Sequence, residues 1–221
     1  MNKFISENVL NIAVLIGAIL CYFVFFLLPQ NQGNRLIRDD GWLSYLNVAV
    51  IVAVMIMTVV EIFRAELRSK KFVFLALSYV VLIYASREAD FHRLFTEEHV
   101  TKWAFYVDPK FSLTKKIVAG IIVIPFLVIF LKLILDYAKP ICDGFFRGDS
   151  WAVSIVIWGT LLIFSQIVDK SSIHDYYAGR VAEEFMELTA AGYAVLAMVY
   201  YYRYFGQGTT ANSHANESSG S

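Results

Sequence analysis

Six stretches of the chain are apolar at almost every position: residues 9–28, 42–63, 72–86, 117–135, 151–168 and 188–205. None alternates apolar with polar positions in the manner of a barrel strand. A hydrocarbon core of about 30 Å takes about 20 helical residues to cross. Backbone groups in lipid must bond within their own segment, so these runs predict helices. The pattern predicts an all-α polytopic membrane protein, a single bundle of six transmembrane helices over residues 1–205. Pro29 ends the first run and Pro140 follows the fourth. The first run is too long for the apolar part of a secretory signal and has no small-residue cleavage site after it, so it reads as an uncleaved span. Residues 206–221 are rich in Gly, Ser, Thr and Asn and predict a disordered polar tail.

Composition narrows the class. Hydrophobic residues are 58% of the chain and charged residues 17%, against about 25% charged in soluble domains. That excludes a disordered chain and an ordinary water-soluble enzyme. Formal net charge is zero, which leaves no basic surface for nucleic acid. Two cysteines, Cys21 and Cys142, make no disulfide framework, and Cys21 is expected to pack as a small buried hydrophobe. Glycine-rich phosphate loops, GxSxG, CxxC and HExxH are all absent from the sequence.

Basic residues orient the bundle. Arg64, Arg68, Lys70 and Lys71 crowd the short connection after the second run, which the positive-inside rule assigns to the cytoplasm together with both termini. Lys115 and Lys116 weigh on the other side. The long connection 87–116 carries Trp103, Phe105 and Tyr106, a set suited to the membrane interface.

The third and sixth runs are short. Residues 72–86, and likewise residues 188–202 within the sixth run, make about 22 Å of helix each, too little for the core. The third helix is expected to continue through Arg87, Glu88, Asp90 and His92. The sixth is expected to begin early, through Arg180, Glu183, Glu184 and Glu187. Both extensions lie on one side, where the fifth run ends in Asp169 and Lys170. Glu88 with His92, and Glu183 with Glu187, share helix faces at i and i+4. A carboxylate at membrane depth needs a partner, a metal or a proton. These residues therefore predict a polar chamber open to one membrane face. Glu88, His92, Asp169, Glu183, Glu184 and Glu187 are the candidate ligands for a divalent metal, with Zn, Fe, Mn and Ca all compatible. Glu88, Asp90, His92 and Glu184 are the candidate catalytic groups. Arg87, Lys170 and Arg180 are the charge partners that would instead make the cluster a structural ion-pair network. Lys132 and Asp136, at i and i+4, read as a simple ion pair.

The stretch Arg87-Glu88-Ala89-Asp90-Phe91-His92-Arg93, followed by the acidic pair Glu183-Glu184 with Glu187, resembles a pattern in bacterial multi-span membrane proteins of no assigned activity. The resemblance implies a bacterial inner-membrane location and no particular reaction. Three functions are compatible with the residues. The first is a metal-dependent hydrolase acting on a lipid or amphiphile, since the cluster lies near headgroup depth. The second is a proton- or ion-coupled transporter or channel. The third is a non-catalytic subunit that binds a partner or a lipid headgroup. Membrane lipids are the expected partners, with a homo-oligomer or a membrane complex compatible with the sequence.

Overall fold

The computed structural model describes residues 8–29, 33, 42–64, 68–88, 103–173 and 176–217. Among the described residues the regular structure is entirely helical: α1 (Val9–Phe26), α2 (Trp42–Arg64), α3 (Arg68–Glu88), α4 (Trp103–Val107), α5 (Leu113–Arg147), α6 (Ser150–Asp169) and α7 (Tyr177–Glu217). Four of these are long and apolar enough to cross a membrane: α1, the Tyr45–Phe63 part of α2, α5 and α6. Residues Lys71–Ser86 of α3 form a shorter apolar helix. In α1, and in the most apolar stretch of α5, only 6% of the residues are buried inside the protein. Apolar faces left open on this scale belong against lipid or a partner, not water. The chain has the features of an integral membrane protein.

Helix ends follow local chemistry. α1 stops at Phe26, ahead of Pro29. α3 reaches Glu88, and α7 starts at Tyr177, so Arg180, Glu183, Glu184 and Glu187 all lie on helix. α5 runs for 35 residues, through both Pro125 and Pro140. Each proline removes one intrahelical bond, but the neighbouring bonds on both sides carry the helix on. At 1.5 Å per residue α5 is about 52 Å long, so it outruns a membrane core. α7 continues as helix to Glu217, through residues whose composition predicts a disordered tail. Cys21 departs from expectation: it is exposed on α1, on a helix whose Leu20, Phe23 and Val24 also face outward. A small side chain on such a face has no core to fill.

The chain forms two compact units, Met1–Val50 with Pro140–Ser221, and Ile51–Lys139. α2 and α5 contribute to both.

In the first unit α6 packs along α7, and α1 packs against both. Leu43, Val181 and Phe185 form the buried core, lined by Tyr22, Phe25, Tyr177 and Leu188. The Phe25 and Phe185 rings meet edge to face at 4.8 Å, a favoured aromatic geometry. Ala152, Ala190 and Ala191 are buried, and small residues let membrane helices approach closely. The α5–α6 corner is a Schellman turn. Gly148 has φ 82°, the Gly148 N–H donates to the Phe145 carbonyl and the Asp149 N–H to the Gly144 carbonyl. Arg147 braces the corner with two N–H donors to Asp149 Oδ2, at 3.0 and 3.2 Å.

In the second unit Thr58 is buried and joins α2 to α3. Ser78 Oγ donates to Thr58 Oγ1 at 2.8 Å, and Thr58 Oγ1 donates to the Met55 carbonyl. Tyr79 ties α3 to α5 by donating its hydroxyl to the Ile122 carbonyl at 2.8 Å. Phe105 of α4 is 1% exposed and packs on Phe111 at 4.7 Å, which fastens the short helix to the segment leading into α5. Lys132 and Asp136 form the expected ion pair at 2.9 Å.

Candidate carboxylate site between α6 and α7

The first turns of α7 are built from good helix formers, with Ala182, Glu183, Glu184, Met186, Glu187 and Leu188 in succession around Phe185. Val181, Phe185 and Leu188, at i, i+4 and i+7, enter the core. Glu183 and Glu187 occupy another side of the same helix, and Glu184 borders the core stripe. Glu183 and Glu184 are half-buried. Glu187 is 8% exposed and ranks among the buried polar residues.

Its neighbour across the helix pair is Ser165 of α6, itself fully buried. Ser165 Oγ donates to Glu187 Oε1 at 3.1 Å. A carboxylate withdrawn from water loses several kcal/mol of hydration unless donors replace it, and the serine hydroxyl supplies one. Asp169 lies one turn beyond Ser165 on α6, and Glu183 one turn before Glu187 on α7. Because α6 and α7 run antiparallel, both steps lead towards the same end of the pair. Asp169 is half-buried as the last residue of α6. Lys170 and Arg180 are exposed near that end. The first unit thus brings Asp169, Glu183, Glu184 and Glu187 to one end of α6–α7, with Glu187 deepest.

Arg87 and Glu88 close α3 in the second unit. Asp90 and His92 lie outside the described residues, as does the proposed meeting of the Glu88–His92 face with the α7 acids. Among the described residues no three His, Cys, Asp or Glu side chains are grouped so as to hold a metal ion.

A second polar layer lies eleven residues back along α6, about 16 Å from Ser165. Asn8 and Asn11 of the α1 start are buried there with Ser154. Asn11 Nδ2 donates to Asn8 Oδ1 at 2.9 Å and to the Ser150 carbonyl at 3.2 Å. Asn8 Nδ2 donates to the Gly148 carbonyl at 2.8 Å, which pins α1 to the α5–α6 corner. Ser154 Oγ lies 2.8 Å from both Asn11 Oδ1 and the Ser150 carbonyl, so its one proton serves them alternately or shared. Tyr193 of α7, fully buried, donates its hydroxyl to the Asn11 carbonyl. Three helices are therefore joined by hydrogen bonds at this level.

Sequence reasoning singled out the acids but missed Ser165, Asn8, Asn11, Ser154 and Tyr193. Ser165 carried a usable signal, since it is one turn from Asp169 on the same face. Asn8 and Asn11, at i and i+3 where an apolar run begins, carried another. No family model, curated protein or solved structure matches this chain.

Proposed function

We propose that the protein is a proton-handling membrane transporter or channel whose proton-carrying group is Glu187. The reading rests on one observation: a carboxylate 8% exposed within a pair of helices, holding the hydroxyl of Ser165 at 3.1 Å. Ionisable groups within membrane helices are rare and mark substrate and ion pathways and proton relays. In this scheme protons arrive from Asp169, Glu183 and Glu184 at the rim, reach Glu187, and pass along the α1–α6–α7 seam towards Asn11, Ser154 and Tyr193. The scheme takes α1, α2, α3, α5, α6 and α7 as six spans, with both termini cytoplasmic and the Glu187 end facing out. The metal-dependent lipid hydrolase draws on Glu88, Asp90 and His92, and no described contact favours it over proton transfer.

Reconstituted liposomes carrying a pH gradient test the proposal. Protein-containing vesicles should lose the gradient faster than empty ones, Glu187→Gln should abolish the difference, and Ser165→Ala should reduce it. Wild-type vesicles that hold their gradient as long as empty ones would leave the non-transporting subunit as the better reading. Full activity in Glu187→Gln would remove Glu187 from the path.

A further inference from the structure

The second unit carries a groove of about 560 Å³ at the start of α5, bordered by Tyr106 of α4 and by Lys116, Ile117, Gly120, Ile121 and Ile124. We infer that this groove binds one anionic phospholipid, with an acyl chain along α5 and the phosphate between Lys116 and Tyr106.

The groove is shallow and open along its length, so it is shaped for a chain lying along the helix and not for an enclosed small molecule. The wall is apolar and faces away from the protein: Ile117, Ile121 and Ile124 are 53%, 66% and 63% exposed. Gly120 leaves the floor open, since a Cβ there would meet only the tip of Ile124 at 3.9 Å. Pro125 ends the groove. It has no N–H, so the Ile121 carbonyl loses its usual partner and the helix is free to bend there. A saturated or monounsaturated chain is the partner that such a wall accepts, because the wall offers contact area and almost no hydrogen bonding.

The head of the groove has the opposite character. Lys116 has no carboxylate partner among the described residues. Asp108, the nearest acid in sequence, accepts the Lys110 backbone N–H into its own turn at 2.9 Å. Lys115 adds a second positive charge beside Lys116. The Tyr106 hydroxyl is shielded from water and has no hydrogen-bond partner. A phosphate diester supplies the charge that Lys116 lacks, and a small turn of the Tyr106 side chain towards the groove would bring its unpartnered hydroxyl to the same phosphate. A net negative headgroup is required because the site is cationic and a zwitterionic one brings its own positive charge.

Native mass spectrometry of the full chain in mild detergent, with dioleoyl phosphatidylglycerol, dioleoyl phosphatidylcholine or oleate added, tests this. The wild type should retain phosphatidylglycerol over phosphatidylcholine. Lys116→Gln should reduce that preference roughly fivefold, the effect of one basic residue at an anionic surface. Tyr106→Phe should give a smaller loss, and Ile121→Trp, which fills the groove from an exposed position, should remove retention. Lys139→Gln, an exposed lysine elsewhere on α5, should change nothing. Equal retention of the two phospholipids overturns the proposal, as does tighter retention of oleate. So does a Lys139→Gln loss matching Lys116→Gln, or an Ile121→Trp protein that binds as the wild type does.

Discussion

Ser165 and Glu187 hold α6 against α7 through a hydrogen bond of 3.1 Å between two buried side chains. The hydroxyl is a donor the carboxylate needs, so the two residues are not equivalent under substitution. Ser165→Ala leaves a buried acceptor with one donor fewer, which costs from about 0.6 to about 1.7 kcal/mol for a bond between membrane helices. Glu187→Gln keeps an acceptor oxygen of the same shape and should fold as well as the wild type. Thermal unfolding in detergent should rank wild type and Glu187→Gln together, with Ser165→Ala below both. The opposite order would mean that the contact contributes nothing to packing.

The Asn11 layer joins three helices, so its members should be energetically coupled. Tyr193→Phe removes the hydroxyl that donates to the Asn11 backbone carbonyl, whereas Asn11→Ala keeps that carbonyl and removes the side-chain amide that bonds Asn8, Ser150 and Ser154. Interhelical hydrogen bonds in membranes contribute about 0.6 kcal/mol on average and rarely above about 1.7. A double-mutant cycle between Asn11→Ala and Ser154→Ala, which share a direct contact at 2.8 Å, should show coupling in that range. Strict additivity would show that the layer is a set of independent bonds.

Two glycines should respond in opposite ways. Gly148 sits at φ 82° in the α5–α6 corner, a conformation that costs an L-residue about 1–2 kcal/mol. Gly192 lies within α7, and a Cβ built there meets nothing within 4 Å. Replacing a helical glycine by alanine gains up to about 1 kcal/mol in propensity. Gly148→Ala should lower the unfolding temperature and Gly192→Ala should leave it unchanged or raise it. A stabilising Gly148→Ala would contradict the corner geometry.

Burial raises the Tyr106 phenol above its ordinary 10.0. The folded state then holds this proton more tightly than the unfolded one. The resulting stability is fully present below pH 10 and is lost as pH climbs through the raised value. Comparing wild type with Tyr106→Phe in zwitterionic detergent, the stability difference should be flat below about pH 10 and move against the wild type above it. A difference that changes between pH 6 and 9 would assign the effect to another group.

Hydropathy made the helices legible, because a long apolar run has few other ways to satisfy its backbone. It also carried the early start of α7 through Arg180 and Glu187, since the fifteen residues 188–202 are too short a run to stand alone. Less was legible where tertiary contacts decide. The α5 helix passes Pro140 although proline usually stops a helix, because the flanking bonds outweigh the one removed. Cys21 is exposed because an apolar run shows the same hydropathy on its packed and outward faces. Ser165, Asn8 and Tyr193 are single polar residues in apolar surroundings, and only the packing of α1, α6 and α7 gives them partners. The acids of α7 stood out in the sequence; which of them is deepest depended on the antiparallel register of α6.

The most direct measurement on the central claim is the infrared difference spectrum of the reconstituted protein between acid and alkaline conditions, in H₂O and in D₂O. Proton handling at Glu187 predicts that the protonated-carboxyl absorption appearing on acidification, and shifting in D₂O, contains a component that is lost in Glu187→Gln. A wild-type spectrum indistinguishable from that of Glu187→Gln across the pH range of the flux assay would contradict the account.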